Sequence, residues 1–328
     1  MTAWSSKRPI CSDGAERPHG YGVDTLQGAL TIWNWSPDPD VVLHAEIEAV
    51  SAGGEETPVR GSGVFVGGWS DKEAHSTGGA PSVPVLDTGP MVIDGGITPR
   101  TPDLICGGVF VQAGAKVASV LNRGAVTTLG ANDMALDNWG EVETWTVTAP
   151  VTTRGPSGIG FVNFGVLRDL DVQAPIETYG AGARGFNVYD GVLERATFDS
   201  IATHADGAVG IQVARALPEL TIRRDVSTAD GAGTSLVRGE LVQLQAIAVS
   251  VKREGRIGRL EVGGDIRTSG DGVVSLELLG TVDHLSVTGR VAAEGRHSDA
   301  AHVCPAVVAA LEGVALRARH GHRLVEVH

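Results

Sequence analysis

Cysteine is scarce in this chain: Cys11, Cys106 and Cys304 are the only three. Their wide separation excludes a disulfide framework and a zinc-binding spacing. Basic residues are also few, 26 Lys+Arg against 39 Asp+Glu, which leaves a formal net charge of −13. A surface this acidic argues against nucleic acid or an anionic membrane as the main partner. Long apolar runs are missing too. The opening stretch MTAWSSKRPICSDGAERPHGYG lacks the apolar core, roughly 7–15 residues long, of a secretory signal. No run elsewhere is long enough to span a bilayer. These absences predict a soluble, cytoplasmic protein.

Glycine, by contrast, is abundant. Its 45 copies in 328 residues are about twice the usual share, and they are spread along the chain. They punctuate a repeat. From Val126, steps of 25 residues land on Val151, Ile176, Ile201 and Val226; a step of 40 then reaches Ile266, and 25 more give Val291 and Leu316. Seven of these eight are β-branched. Two residues further along runs a second column: Thr128, Thr153, Thr178, Thr203, Thr228, Thr268 and Ala293. Turn-like phrases follow, such as LGAND, RGPSG, YGAGA, HADGA and SGDGV.

Within each unit the apolar residues alternate at period two over four to six positions, as in TWTVTAPVTT. That is the pattern of short strands, and no unit has room for an amphipathic helix. The fold class is therefore all-β: a parallel β-helix solenoid in which each unit is one rung of about 25 residues, stacked at about 4.8 Å. In-register stacking makes each column a ladder, with Thr hydroxyls placed to bond along it. A third column, Leu136, Phe161, Phe186, Ile211, Leu236 and Leu276, is expected to face inward. The period and pattern over roughly residues 100–320 resemble the right-handed, pectin-lyase-like β-helix superfamily. No catalytic signature of a named family accompanies the resemblance.

The repeat also divides the chain. Residues 1–100 keep a β character without the strict period and read as a cap with irregular first rungs; they hold Trp4, Trp33, Trp35 and Trp69. Residues 101–328 form the regular solenoid. The step of 40 places an insertion at 239–253, apolar and alternating, which reads as a strand or hairpin arm suited to a subunit contact. A homo-oligomer, such as a trimer, is expected. NVYDGVLERATFDS gains a residue before Gly191 and loses one before Ile201, which reads as a bulge. The end of the chain reads as either a last rung or a closing helix.

Strict alternation around the Leu136–Phe161 column places three columns outward. The first is small: Ala135, Gly160, Gly185, Gly210, Ser235 and Ser275. The second is mostly polar: Asp137, Val162, Asn187, Gln212, Val237 and Glu277. The third begins aromatic: Trp139, Phe164 and Tyr189, then Ala214. Together they suggest a trough for an oligosaccharide or small sugar, whose apolar faces stack on aromatics while its hydroxyls pair with carboxylates and amides. Burial of this face under the N-terminal segment or another subunit is the competing reading.

Asp137 and Asp190 lie two rungs apart, within reach of the carboxyl spacing of an inverting glycosidase. Asp190 also suits a simple turn role in YDG. Arg184, Arg215 and Arg238 flank the trough and could hold an acidic sugar, or could be solvated corner charges. Asn138 and Asn163 read as an inward structural ladder. His204 reads as a general base beside Asp206 or, more plainly, as an exposed turn residue. GAGARG (180–185) matches a dinucleotide fingerprint, but no helix follows, so no cofactor is expected. The C-terminal histidines His297, His302, His320, His322 and His328 lack metal spacing, so neither is a metal.

Two functions emerge. One is a carbohydrate-active enzyme, a glycoside hydrolase or lyase working along the trough. The other is a non-catalytic structural or sugar-binding solenoid that oligomerises.

Overall fold

The computed structural model describes residues 24–71, 75–101, 104–237 and 240–328. Trp4 and Arg238 lie outside the described residues. The chain coils into a parallel β-solenoid with three faces. One rung shows the plan: Ile159–Asn163 on the first face, Val166–Val172 on the second and Ile176–Thr178 on the third. On the first face eleven strands run in one path from Gly28–Trp33 to Leu324–Glu326. The expected columns are in register on the third face. Val126 pairs with Val151, Val151 with Ile176, Ile176 with Ile201 and Ile201 with Val226. Ile266 then takes Val226, Val291 takes Ile266 and Leu316 takes Val291.

The core fills the space between the faces. Val151, Ile176 and Ile201 share one apolar cluster with Leu136, Phe161, Phe186, Trp145 and Leu170. Phe161 packs against Trp145 at 5.1 Å and Phe186 against Phe198 at 4.6 Å between ring centroids. The Trp145 indole N–H is satisfied inside the coil by Asn122 Oδ1 at 2.7 Å, and Asn122 in turn donates to Thr88 Oγ1 at 2.6 Å. The Asn ladder forms as expected. Asn138 Nδ2 donates to Asn163 Oδ1 at 2.8 Å, and Asn163 caps the ladder on the Gly165 and Asp190 carbonyls.

The Thr column behaves differently from the sequence expectation. The hydroxyls of Thr128, Thr153 and Thr178 have no hydrogen-bond partner. Thr203 instead donates to the Ala208 carbonyl and Thr228 to the Ala246 carbonyl, across the adjoining turn. Stacked strands are about 4.8 Å apart, so identical rotamers hold their hydroxyls beyond hydrogen-bond reach of one another.

The corner joining the third face to the first carries a left-handed residue in rung after rung. Asn132, Ser157, Gly182, Gly207, Gly272 and His297 have φ between 53° and 68°. The turn needs this conformation, and glycine supplies it without strain at three of these rungs.

The N-terminal part builds the irregular first rungs. A 15-residue strand, Ala80–Asp94, runs across two faces: Ser82–Thr88 pairs with Lys116–Asn122, and Met91–Ile93 pairs with Val126–Thr128. At the other end both alternatives meet. Ala315–His320 and Leu324–Glu326 are strands, while a short 3-10 helix, Pro305–Leu311, seals the core with Val307 and Leu311. Among the described residues no helix is long and apolar enough to cross a membrane.

The insertion is a hairpin, Ala232–Val237 paired antiparallel with Glu240–Gln245. It therefore lies earlier than 239–253, and Val249–Val251 belongs to the solenoid. Leu236 is in the arm, not in the inward column; Val249 takes that place between Ile211 and Leu276. Nor does the arm project freely. It folds back over earlier rungs: Ser235 Oγ donates to the Gly182 carbonyl at 2.7 Å, and the Leu236 N–H donates to Ser157 Oγ at 2.9 Å.

Candidate functional site

The outer side of the first face differs from the expected trough in one main respect. The glycine column points inward. A Cβ on Gly160 would lie 2.4 Å from Ile176 Cγ2, and one on Gly185 would lie 2.2 Å from Ile201 Cγ2. Gly160 and Phe161 are consecutive and both face the core, so the strand breaks alternation there. The residues left outward are Met134, Asp137 and Trp139 in one rung, then Ile159, Val162 and Phe164, then Arg184, Asn187 and Tyr189. Ile159, Val162 and Tyr189 form their own apolar cluster, with Met134, Phe164 and the hairpin's Val237 packed against it. Ser235 lies in the hairpin, outside any such column.

The aromatic column is real but longer than expected and mostly enclosed. Ring contacts run from Trp33 through Phe65, Phe110, Trp139 and Phe164 to Tyr189, each at 5.2–5.5 Å. Trp139 keeps 4% of its surface and Tyr189 8%, while Phe164 is half-buried. Phe65 and Phe110 escaped the sequence pattern because they lie 45 residues apart, in the irregular rungs.

Asp137 and Asn187 are fully buried; neither amide atom of Asn187 has a hydrogen-bond partner, while Asp137 lies beside the Trp139 side chain. Burial pushes the Asp137 carboxyl well above the usual carboxylate range, with the Trp139 side chain partly offsetting it. Gln212 is also buried, in register with Asn187. Asp190 stands apart from these at the bulge. Its Oδ1 accepts from the Gly191 N–H at 3.0 Å and from Arg215 Nε at 3.1 Å, and Arg215 also pairs with Glu254. The buried Asp137 and the ion-paired Asp190 therefore occupy different settings. Exposed His204 stacks on Tyr179 at 4.6 Å, and GAGARG is the corner turn of its rung.

Beside the aromatic file, at the corner between the first and second faces, lies an open depression of about 360 Å³. Trp139, Phe164, Glu141, Asp190 and His75 line it, together with the backbone of Gly140, Gly165 and Gly191. The glycines stack directly: a Cβ on Gly165 would lie 2.2 Å from the Gly140 carbonyl. Close stacking leaves the corner without side chains, so the ring edges and carboxylates border a bare backbone floor. His75 Nδ1 lies 3.0 Å from Asp71 Oδ2. Glu141 and His75 were not singled out from the sequence, because neither falls in a repeated column of polar residues. Among the described residues no three His, Cys, Asp or Glu side chains converge to hold a metal ion.

A second buried acid sits at the start of the regular rungs. Asp133 accepts from Cys106 Sγ at 2.9 Å and from the N–H groups of Gly130 and Gly95 at 2.8 and 3.2 Å. Burial dominates, pushing the carboxyl up from 3.8 to about 6; these hydrogen bonds oppose it. The Cys106 thiol is pushed up as well, by burial and by Asp133 beside it. Between pH 4 and 6 the folded chain holds a proton on Asp133 that the unfolded chain has released. Stability from this group is therefore full below pH 4 and is lost as pH rises through 6. A shift of this size corresponds to about 3 kcal/mol. Urea unfolding at pH 4 and pH 7 is expected to show that loss in wild type and a flatter profile in Asp133→Asn.

No protein-family model matches the chain, and the comparisons with curated proteins and with solved structures likewise find no match.

Proposed function

We propose that the protein is a non-catalytic, sugar-binding β-solenoid that holds a short saccharide in the corner depression. The observation that carries this reading is the lining of the depression: Trp139 and Phe164 beside Glu141, Asp190 and His75 over a glycine floor. Apolar ring edges next to exposed acceptors and donors suit a sugar, with its flat C–H faces and rim of hydroxyls. A volume of about 360 Å³ suits a ligand of one or two rings. Kinship with right-handed, pectin-lyase-like β-helices belongs to the same proposal, supported by the three-faced rungs and their length of about 25 residues.

One observation favours a catalytic version. A carboxyl pushed well above the usual carboxylate range by burial beside a Trp, as Asp137 is, has the character of a general acid. Against it, both Asp137 oxygens are sealed from solvent and Asp190 is engaged by Arg215. Binding without turnover is the better-supported reading.

A glycan panel titrated against the purified chain tests the proposal. Glu141→Ala is expected to weaken saccharide binding by about 1.5–3 kcal/mol, the scale of a hydrogen bond to a charged group. The melting temperature should stay unchanged, because the Glu141 side chain is 57% exposed. Equal affinity in wild type and Glu141→Ala would remove the depression as the binding site.

A further inference from the structure

Among the described residues, Arg184 is the one cation in the middle of the outer first face that is wholly enclosed, with 1% of its surface exposed. It leaves the strand Arg184–Val188 outward and lies beneath the hairpin. Its Nη1 donates to Ser235 Oγ at 3.2 Å and to the Gly182 carbonyl at 3.4 Å. The guanidinium carbon lies 5.9 Å from the Tyr189 ring centroid. Nε and Nη2, the two nitrogens on the opposite edge, have no acceptor. Those two N–H groups are parallel and form the side-on fork that grips a carboxylate through two hydrogen bonds.

Asn187, three residues along the same strand and also outward, is fully buried with both amide atoms unpartnered. A buried guanidinium with no counter-charge is costly, and an unmade buried amide adds to the cost. Among the described residues none supplies a carboxylate to Arg184. Asp137 is in the Asn187 column, two strands away, and Val162 stands between them. Its carboxyl, pushed well above the usual carboxylate range by burial, is also disfavoured as a charge.

We propose that Arg184 and Asn187 form a binding site for a single carboxylate group, roofed by the strand Ala232–Val237 of the hairpin. The fork of Arg184 would take both carboxylate oxygens and the Asn187 amide would donate a third hydrogen bond. One guanidinium balances one negative charge, which favours a carboxylate over a phosphate dianion. Among the described residues the roof contacts the rungs beneath through Ser235 with Gly182 and Arg184, the Leu236 N–H with Ser157, and Val237 on the apolar cluster beside them. The carboxylate could belong to a free small acid or to the uronic acid of a saccharide. This site is separate from the corner depression, so either can fail alone.

The test uses the full chain with sodium acetate, sodium glucuronate and neutral glucose, against sodium chloride at equal ionic strength. Binding is read from the melting temperature and from the arginine Nε–H resonances. Glucuronate or acetate is expected to shift one enclosed Nε–H signal and raise the melting temperature; glucose and chloride should leave that Nε–H signal in place, whatever glucose does at the corner depression. A response to both acids identifies a free carboxylate as sufficient, and a response to glucuronate alone identifies a sugar acid. Arg184→Lys keeps the charge but loses the fork, and should weaken binding about tenfold. Absence of any response to either acid at tens of millimolar in wild type would overturn the proposal, as would unchanged affinity in Arg184→Lys. The wild-type arm decides the matter if that variant does not fold.

Discussion

Ile176→Asp is expected to leave the chain unfolded or aggregated under conditions where the wild type is folded. Ile176 is fully buried, and its neighbours along the ladder are Val151 and Ile201, also without meaningful exposure. Across the coil, Gly160 comes so close that a Cβ there would touch Ile176 Cγ2. Among the described residues the buried basic side chain is Arg184, which lies under the hairpin outside the coil. An aspartate there must either ionise without a partner or take up a proton, and either choice removes an aliphatic side chain from a packed stack. The loss should exceed about 5 kcal/mol, beyond the ordinary range for point substitutions. Ile176→Val keeps the ladder and should cost only about 0.5–1.5 kcal/mol. Urea unfolding of both variants checks this.

Gly185→Val has the second largest expected effect and bears on which way the glycine column faces. If Gly185 faced solvent, valine would suit a strand and change stability by no more than about 0.5 kcal/mol. In the structure a Cβ at Gly185 lies 2.2 Å from Ile201 Cγ2 and 2.6 Å from the Gly210 carbonyl. Neither neighbour can retreat, because Ile201 is held between Ile176 and Val226 and Gly210 is strand backbone. Overpacking should cost about 3 kcal/mol or more. A melting temperature equal to that of wild type would contradict the inward orientation.

The ladders were legible in the sequence because stacked strands in register demand one fixed spacing. Val126 through Leu316 could be traced by counting, and each step corresponds to a pairing. The bulge at Tyr189–Gly191 was legible for the same reason: Val192 pairs with Val166, one residue late, and Ile201 is back in step with Ile176. The orientation of Gly160 and Gly185 was not legible. Alternation puts them outward, but two consecutive inward residues leave no trace in a pattern of period two except the glycine itself. The hairpin was visible as a length, fifteen residues beyond the period, yet its limits were not. TSLV and VSV are equally strand-like, and it takes the pairings, Ala232–Val237 antiparallel with Glu240–Gln245 and Val249 between Ile211 and Leu276, to show which run leaves the coil. The candidate site divides in the same way. Trp139, Phe164 and Tyr189 were found by spacing, whereas Glu141 and His75 converge on the depression through corners that carry no repeated signal.

The most direct test of the functional account separates binding from turnover. The saccharide that binds best in the glycan panel is incubated with excess protein, and the mixture is analysed by mass spectrometry. Binding at the depression without catalysis predicts that the saccharide is recovered intact and that its affinity falls in Glu141→Ala. A shortened or unsaturated product, formed by wild type and absent with Asp137→Asn, would contradict that account and establish Asp137 as a working acid.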